Sequence, residues 1–246
     1  MKSHSEQNLS PKDRLAVALD VPDAKAALDL VDRLEGTCRW LKVGMELYYA
    51  AGNALVHDLR NLGYSIFLDL KLHDIPNTVA GAVRSATTAG AELLTVHGCG
   101  GGAMLRAAAQ AAEAPRSPKL IAVTVLTSMD AAELASVGVS DTPAEQALRL
   151  ARLAKASGMN GMVCSAEEVY ALRQEVGPDA TLVVPGIRPS GSSVDDQRRV
   201  ATPGSAIAQG ASLLVVGRPI TRAAEPATAV DAILREIQAA CETIGS

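Results

Sequence analysis

Eight short apolar segments follow one another along the chain, and residues with helix signals separate each segment from the next. Most of these segments are apolar throughout, which is typical of parallel strands that are buried on both faces. The eight predicted strands are residues 15–19, 40–43, 66–70, 93–96, 121–126, 161–164, 181–184 and 213–216. A strand followed by a helix, repeated eight times within 246 residues, predicts a (β/α)8 TIM barrel of the α/β class.

Helix start and stop signals lie between the predicted strands. Asp23 is placed to cap a helix after the first strand. Residues 142–145, Thr-Pro-Ala-Glu, combine a capping box with a proline at the first helical position, and Pro203 repeats the proline signal. Gly90 and Gly158 stand where helices should end. These signals support the alternation of strands and helices.

The alternative architecture is a doubly wound open sheet. Its usual sign, a GxGxxG motif after the first strand, is absent, because that strand is followed by residues 20–23, Asp-Val-Pro-Asp. The glycine-rich residues 98–102 follow the fourth strand and lack the spacing of a phosphate-binding P-loop. No linker interrupts the pattern. We therefore expect one barrel domain over residues 13–246, preceded by a disordered or loosely attached segment, residues 1–12.

Charge and composition argue against several classes of protein. The net charge is −4 and the pI is near 5.6, whereas general nucleic-acid binding requires a basic surface. No apolar run approaches the roughly 20 residues that cross a bilayer, and the polar N-terminus lacks the apolar segment of a signal peptide. The four cysteines are far apart and form no CxxC pair, which indicates reduced thiols. We expect a cytoplasmic protein that binds neither nucleic acid nor membrane.

Polar residues follow the predicted strands at their carboxyl ends, where barrels of this type hold their active sites. Loops after the seventh and eighth strands commonly bind phosphate, and arginine can pair with an anion through two hydrogen bonds. His97 and Ser165 also end strands, and we interpret both as structural residues. The remaining candidates at this rim are Asp20, Lys42, Asp69, Lys71, Thr127, Arg188, Gly217 and Arg218.

The densest group of charges is residues 69–74, Asp-Leu-Lys-Leu-His-Asp. A strand projects residues i and i+2 to the same side, so Asp69 and Lys71 should lie together. Asp74 follows at the start of the next helix. A structural ion pair is the alternative interpretation, but a third charge so close to the pair favours a catalytic array.

A long polar segment follows the seventh strand, over residues 188–201. Its length and its glycine and serine content are typical of a lid that closes over a ligand. A surface loop of no special function would have a similar composition, and both interpretations stay open.

Eight segments distributed along the barrel carry a resemblance to a known family. They are AVALD (16–20), LKVGMEL (41–47), FLDLKLHDIPNT (67–78), VTVLTSM (123–129), GMVCSAEE (161–168), VVPGIRP (183–189), DDQRRVATP (195–203) and VVGRPIT (215–221). Through these segments the chain resembles the orotidine 5′-monophosphate decarboxylase family. The extended motif around residues 69–78, in order with the motifs after the seventh and eighth strands, is specific to that family, whereas the Asp-x-Lys-x-x-Asp core is shared with a wider superfamily.

The resemblance implies decarboxylation of orotidine 5′-monophosphate to uridine 5′-monophosphate, the last step of de novo UMP synthesis, without a metal or another cofactor. It implies a homodimer in which Asp74 and Thr78 reach the neighbouring site. Some family members place a glutamine where this chain has Ser190. The resemblance implies a catalytic array of Lys42, Asp69, Lys71 and Asp74, and substrate contacts from Asp20, Lys42, Ile75, Thr78, Thr127, Arg188, Gln197, Gly217 and Arg218.

Three other functions stay open. A metal-dependent sugar-phosphate lyase or decarboxylase shares the same strand motif and would need an acid near the second strand, where Glu46 is close to Lys42. A Schiff-base aldolase would need a neutral lysine, whereas acids flank Lys71. A nucleotide-binding barrel without activity would gain nothing from acids beside an anionic ligand.

Our hypothesis for the decarboxylation is that protonated Lys71 stabilises charge at the pyrimidine C6 and donates the proton that replaces CO₂.

Overall fold

The fold is a barrel of eight strands surrounded by helices. A computed structural model describes residues 9–189 and 201–245. The strands are β1 (Leu15–Ala18), β2 (Trp40–Gly44), β3 (Ser65–Leu72), β4 (Leu93–His97), β5 (Lys119–Val123), β6 (Gly161–Val163), β7 (Thr181–Val184) and β8 (Leu213–Val216). The helices are α1 (Ala24–Arg33), α2 (Met45–Asn61), α3 (Pro76–Ala89), α4 (Gly101–Ala111), α5 (Ala131–Ser136), α6 (Pro143–Ala156), α7 (Val169–Val176), α8 (Pro203–Ala208), α9 (Arg218–Thr221) and α10 (Pro226–Gly245).

The sheet closes on itself in the order of the sequence. Each strand pairs in parallel with the next, and β8 pairs in parallel with β1, as in Val17 opposite Val216. The predicted (β/α)8 barrel is therefore confirmed, and the open doubly wound sheet is wrong. Within the described residues, no helix is both long and apolar enough to cross a membrane.

Alternate residues of each strand face two different cores, which explains why the strands are apolar throughout. Leu15 and Val17 face the surrounding helices, whereas Ala16 and Ala18 face the inside of the barrel. Phe67, the single phenylalanine of the chain, belongs to the inner core, where the other buried residues are smaller and aliphatic. The residues that form it are Ala16, Ala18, Phe67, Leu93, Ile121, Val183, Leu213 and Val215.

This alternation continues beyond the inner core to the carboxyl ends of the strands. Asp20 comes two positions after Ala18, and Asp69 comes two positions after Phe67. Residues two positions apart share one side of the sheet, so both acids project to the side that faces the barrel axis. The polar residues of the rim therefore lie directly above the apolar interior.

The predicted caps are present. The Asp23 carboxylate accepts a hydrogen bond from the Ala26 backbone N–H at 2.8 Å. At the start of α6, Thr142 and Glu145 form the reciprocal capping box. Gly90 ends α3 with a left-handed φ of 84°, a conformation that glycine adopts without steric cost.

Six of the strands differ from their predicted bounds by one residue or more, and the largest difference is in β5. β5 covers Lys119–Val123 instead of residues 121–126, and just beyond it the Thr124 backbone N–H and hydroxyl both donate to the Val163 carbonyl, at 3.2 and 2.8 Å. Near the N-terminus, Pro11–Arg14 form a 3₁₀ helix, and Lys12 donates to the Gly36 carbonyl at 3.3 Å. Ordered contacts thus begin before residue 13, while residues 1–8 lie outside the described part, and the loosely attached segment stays a prediction for them.

A stability prediction follows from the close approach of β6 and β7. A Cβ added at Gly161 would lie 2.0 Å from the Thr181 backbone oxygen of the neighbouring strand. Because that oxygen belongs to the barrel itself, the strands would have to separate. We expect Gly161→Ala to lower the free energy of unfolding by about 2–3 kcal/mol or more, measured by urea denaturation.

Gly81→Ala is the matched control for this experiment. Gly81 lies inside α3, and the nearest atom to an added Cβ is 3.7 Å away, at the end of the Arg84 side chain. We expect this control to leave stability unchanged or to raise it by about 0.5–1 kcal/mol. Equal stability of the two variants would contradict the predicted strand contact.

Candidate active site

A cavity of about 250 Å³ opens at the carboxyl ends of the barrel strands. Its floor includes Ala18, Phe67, Val183 and Val215, which also belong to the inner core of the barrel. The polar and charged residues in its walls are Asp20, Lys42, Asp69, Lys71, Thr127, Arg188 and Arg218, and Gly217 also lines it. The structure thus brings together eight of the residues that the sequence predicted for the site.

Four of these residues form a row in which positive and negative charges alternate. Lys42 Nζ lies 3.1 Å from Asp20 Oδ1 and 3.6 Å from Asp69 Oδ2. Lys71 Nζ lies 2.9 Å from the other carboxylate oxygen of Asp69, Oδ1. We call Asp20, Lys42, Asp69 and Lys71 the charged row. Each inner member of the row has an opposite charge on both sides.

Asp69 is the most constrained acid of the charged row. Burial acts to raise the pKa of its carboxyl group. The ammonium groups of Lys42 and Lys71, with hydrogen bonds from Lys71 and Thr95, outweigh burial and hold the pKa of Asp69 below its ordinary value. The side chain of Asp69 is 16% exposed, so the carboxylate is ionised in a largely desolvated position.

The charged row depends on an irregularity in β3. Leu68 pairs with Leu94 and Leu72 pairs with Val96, so the β3 side of this interval holds two more residues than the β4 side. Lys71 lies in this bulge and has a φ of 48°, in the left-handed region that residues with a side chain avoid. Strain of this kind costs about 1–3 kcal/mol and is found mainly at functional sites.

Two glycines leave room for the charged row. A Cβ at Gly44 would lie 3.2 Å from Lys42 Nζ, and one at Gly217 would lie 3.2 Å from Asp20 Oδ2. Any larger side chain would therefore displace a charged group. The absence of a side chain at Gly217 thus leaves room for Asp20, and the phosphate contact of Gly217 stays a prediction.

A second hollow of about 230 Å³ lies on the other side of the charged row. All four members of the row line it, together with Glu46 and the half-exposed Met45 at the start of α2. The row is thus reached from two directions, from the main cavity and from the side of β2 and α2.

Three predicted residues lie apart from the cavity of their own chain. Asp74, Ile75 and Thr78 are exposed at the start of α3 and line neither hollow. The Asp74 carboxylate accepts a hydrogen bond from the Ile75 N–H at 2.6 Å, and Ile75 is 67% exposed. Gln197 and Ser190, with most of the predicted lid, lie outside the described residues.

Thr95 is a residue of this region that the sequence reasoning missed. It is fully buried in β4, accepts a hydrogen bond from the Lys71 backbone N–H at 2.8 Å, and donates to Asp69 Oδ1 at 3.1 Å. Its only signal in the sequence is a threonine inside the apolar run of residues 93–96.

His97 and Ser165, interpreted as structural, do not line the cavity: His97 stacks on His73 with 5.3 Å between ring centres.

Comparisons with known proteins identify the family. The model of the orotidine 5′-phosphate decarboxylase / HUMPS family matches residues 13–233. The orotidine 5′-phosphate decarboxylase of Nitrosospira multiformis is 51% identical over 225 residues, covering 92% of this chain and 94% of that protein. The corresponding protein of Dichelobacter nodosus is 52% identical over 221 residues, covering 89% of this chain and 96% of its own length.

The fold agrees with the same assignment. The crystal structure of orotidine 5′-phosphate decarboxylase from Lactobacillus acidophilus superposes with a TM-score of 0.82 at 41% identity, covering 92% of this chain and 99% of that one. Since the family model spans almost the whole barrel and relatives share half of its residues, this chain belongs to the orotidine 5′-phosphate decarboxylase / HUMPS family.

Proposed function

We propose that this chain converts orotidine 5′-monophosphate to uridine 5′-monophosphate and CO₂, with Lys71 as the proton donor. The observation that carries the proposal is the Lys71 ammonium group, which lines the cavity while Asp69 holds it at 2.9 Å. The family and its relatives support the reaction, because the relatives at about half identity are named for it.

The chemistry requires a cation at the reacting carbon. When the bond between C6 and the carboxylate breaks, the electron pair stays on C6, where the pyrimidine ring delocalises it poorly. The Lys71 ammonium stabilises this charge as it develops, then transfers a proton to C6 and becomes a neutral amine, which regains a proton from water. A preformed charge at this position requires no reorganisation during the reaction.

Asp69 and Lys42 support this role of Lys71. Asp69 keeps the ammonium in place. In this proposal the substrate carboxylate lies beside Asp69, and the negative charge of Asp69 disfavours that second carboxylate. Lys42 bridges Asp69 to Asp20, so that both acids keep a cationic partner. The proposal also assigns contacts with the ribose hydroxyl groups to Asp20 and Lys42, which line the cavity.

The remaining wall residues suit the two ends of a nucleotide. Arg188 and Arg218 line the cavity near Gly217, and two guanidinium groups are suited to a phosphate. Thr127 lines the cavity from the β5 side and can hold the pyrimidine. Binding energy from the phosphate, which does not react, can then assist the reacting carbon. Gln197 belongs to the same proposal on the family resemblance alone.

The active form is proposed to be a homodimer in which Asp74, Ile75 and Thr78 complete the neighbouring site. These residues are exposed, line neither hollow of their own chain, and include an acid, Asp74, that is not part of its own charged row. Met45 and Tyr49 on α2 are 44% and 82% exposed and share one helix face, which a partner would cover. A cytoplasmic location, with no nucleic acid or membrane partner, stays a prediction.

The proposed reaction uses no metal or other cofactor. In a metal-dependent relative a cation would lie between carboxylates, but here the Lys42 ammonium lies between Asp20 and Asp69, at 3.1 and 3.6 Å. A Schiff-base mechanism would require a neutral Lys71 amine, whereas Lys71 Nζ lies 2.9 Å from the Asp69 carboxylate. A protein that only binds nucleotides would gain no affinity from these acids, since they repel an anion.

Replacing Lys71 tests the proton donor directly. We expect Lys71→Ala to lower kcat by about 10²–10⁴-fold or more, because the variant has neither the cation nor the proton. Binding of uridine 5′-monophosphate should largely survive. The loss of orotidylate absorbance gives the rate, and calorimetry gives the affinity. Lys25→Ala, which removes an exposed lysine that pairs with Asp29 on α1, is the control. Near-normal turnover of Lys71→Ala would refute the mechanism.

Chelation separates the proposed reaction from the metal-dependent alternative. We expect the rate of orotidylate loss to stay constant after dialysis against EDTA, because the Lys42 ammonium already fills the position between the two acids. Adding Mg²⁺ back should change nothing. Loss of activity in EDTA, with recovery in Mg²⁺, would support the metal-dependent reaction instead.

Mixed dimers test whether Asp74 acts on the neighbouring site. Lys71→Ala and Asp74→Ala chains, each nearly inactive alone, are mixed under conditions that allow exchange of subunits. A mixed dimer then has one intact site, made of Lys71 from one chain and Asp74 from its partner. We expect about a quarter of the wild-type activity from an equal random mixture, since half of the dimers carry one intact site. Activity that does not rise on mixing would show that each chain completes its own site.

A further inference from the structure

One buried hydroxyl group contacts the charged row without lining the cavity. Thr95 has no exposed surface, and its Oγ1 lies 2.8 Å from the Lys71 backbone nitrogen and 3.1 Å from Asp69 Oδ1. It therefore bonds to both members of the ion pair that holds the proposed proton donor. No other residue joins the Lys71 backbone to the Asp69 carboxylate among the hydrogen bonds of the described residues.

The bulge in β3 explains why a side chain is needed at this position. Residues 69–71 stand opposite Thr95 alone, because the regular pairing stops at Leu68 and resumes at Leu72. The Lys71 N–H is thereby displaced from the ladder of backbone hydrogen bonds. A backbone N–H in the interior requires an acceptor, and the Thr95 hydroxyl supplies it.

The conformation of Lys71 makes this hydrogen bond more important. Its φ of 48° is unfavourable for any residue with a side chain, so surrounding contacts must hold the backbone there. If the backbone at Lys71 relaxed to the extended conformation of a strand, the lysine side chain would project in a different direction. Its ammonium group would then no longer be fixed between Asp69 and the cavity.

We propose that Thr95 is a positioning residue for the decarboxylation. Its hydroxyl group holds Lys71 in the left-handed conformation and at the same time fixes the orientation of the Asp69 carboxylate, so that the ammonium faces the reacting carbon. This inference rests on the proposed function, because the position of Lys71 matters to the rate only if Lys71 is the proton donor.

The role requires a group that accepts one hydrogen bond and donates another. Serine keeps both abilities in a smaller side chain, whereas valine keeps the shape of threonine and has neither. Cysteine is a weak donor and a weak acceptor. The three substitutions at one position therefore separate hydrogen bonding from packing.

The experiment measures kcat and KM for orotidine 5′-monophosphate with Thr95→Val, Thr95→Ser and a control. Thr124→Val is the control, because Thr124 is 1% exposed at the end of β5 and donates to the Val163 carbonyl, away from the charged row. We expect Thr95→Val to lower kcat by about 10- to 100-fold with little change in KM, because a hydrogen bond to a charged group is lost. Thr95→Ser should recover most of the rate, and Thr124→Val should keep it.

The dependence of kcat on pH gives a second measurement. A general loss of structure would lower kcat without moving the profile along the pH axis. Burial acts to raise the pKa of Asp69, and the Thr95 hydrogen bond is one of the contacts that lower it. Because Asp69 must be ionised to hold Lys71, activity falls as the pH falls through this pKa. We therefore expect the acid limb of the Thr95→Val profile to lie at higher pH than that of the wild type, and the limb of Thr124→Val to stay in place.

The outcomes are distinguishable. Equal kcat for Thr95→Val and Thr124→Val, or no recovery in Thr95→Ser, would overturn the proposal. If Thr95→Val does not fold, as judged by circular dichroism, Thr95→Cys replaces it; a kcat clearly below that of Thr95→Ser supports the proposal, and an equal kcat overturns it. A wild-type protein without decarboxylase activity would instead refute the proposed function itself.

Discussion

The site at the mouth of this barrel depends on the alternation of charge along Asp20, Lys42, Asp69 and Lys71. At 2.9 Å the attraction between Lys71 and Asp69 is about 6 kcal/mol for an effective dielectric constant of 20. The cost of removing each ion from water is also several kcal/mol. Because these energies are similar, the charged row adds little to the stability of the fold. Removal of an inner member, however, takes the ion-pair partner from an end of the row: without Asp69 the Lys71 ammonium loses its partner in the row, and without Lys42 the Asp20 carboxylate does.

The apolar interior of the barrel supports this arrangement. Phe67 and Ala18 belong both to the inner core and to the floor of the cavity, so apolar side chains, and not water, lie beneath the charged row. A low dielectric below the charged row strengthens its field toward the cavity. The same alternation along each strand produces both the inner core and the site, because residues two positions apart share one side of the sheet.

The sequence predicted the eight strands, the helix caps and the convergence of charges at one rim, since all three follow from local patterns. The pairing of Asp69 with Lys71 was also predicted, but from regular strand alternation, whereas Lys71 reaches Asp69 from a bulge with a left-handed backbone. The bulge could not be predicted, because it arises from the pairing of β3 with β4. The contact of Lys71 with Thr95, 24 residues away, has the same origin. The exposure of Asp74 is equally a property of the assembled barrel.

The distribution of charge explains how an acidic chain can take an anionic substrate. The net charge of the chain is −4, yet four cations and two acids line the cavity. On the proposed function, the arginines hold the phosphate, and the charged row lies at the reacting carbon. The negative charge of Asp69 disfavours the substrate carboxylate there, while the Lys71 ammonium stabilises the electron pair that stays on C6. The same charges therefore interact more favourably with the transition state than with the bound substrate, which is the condition for catalysis without a cofactor.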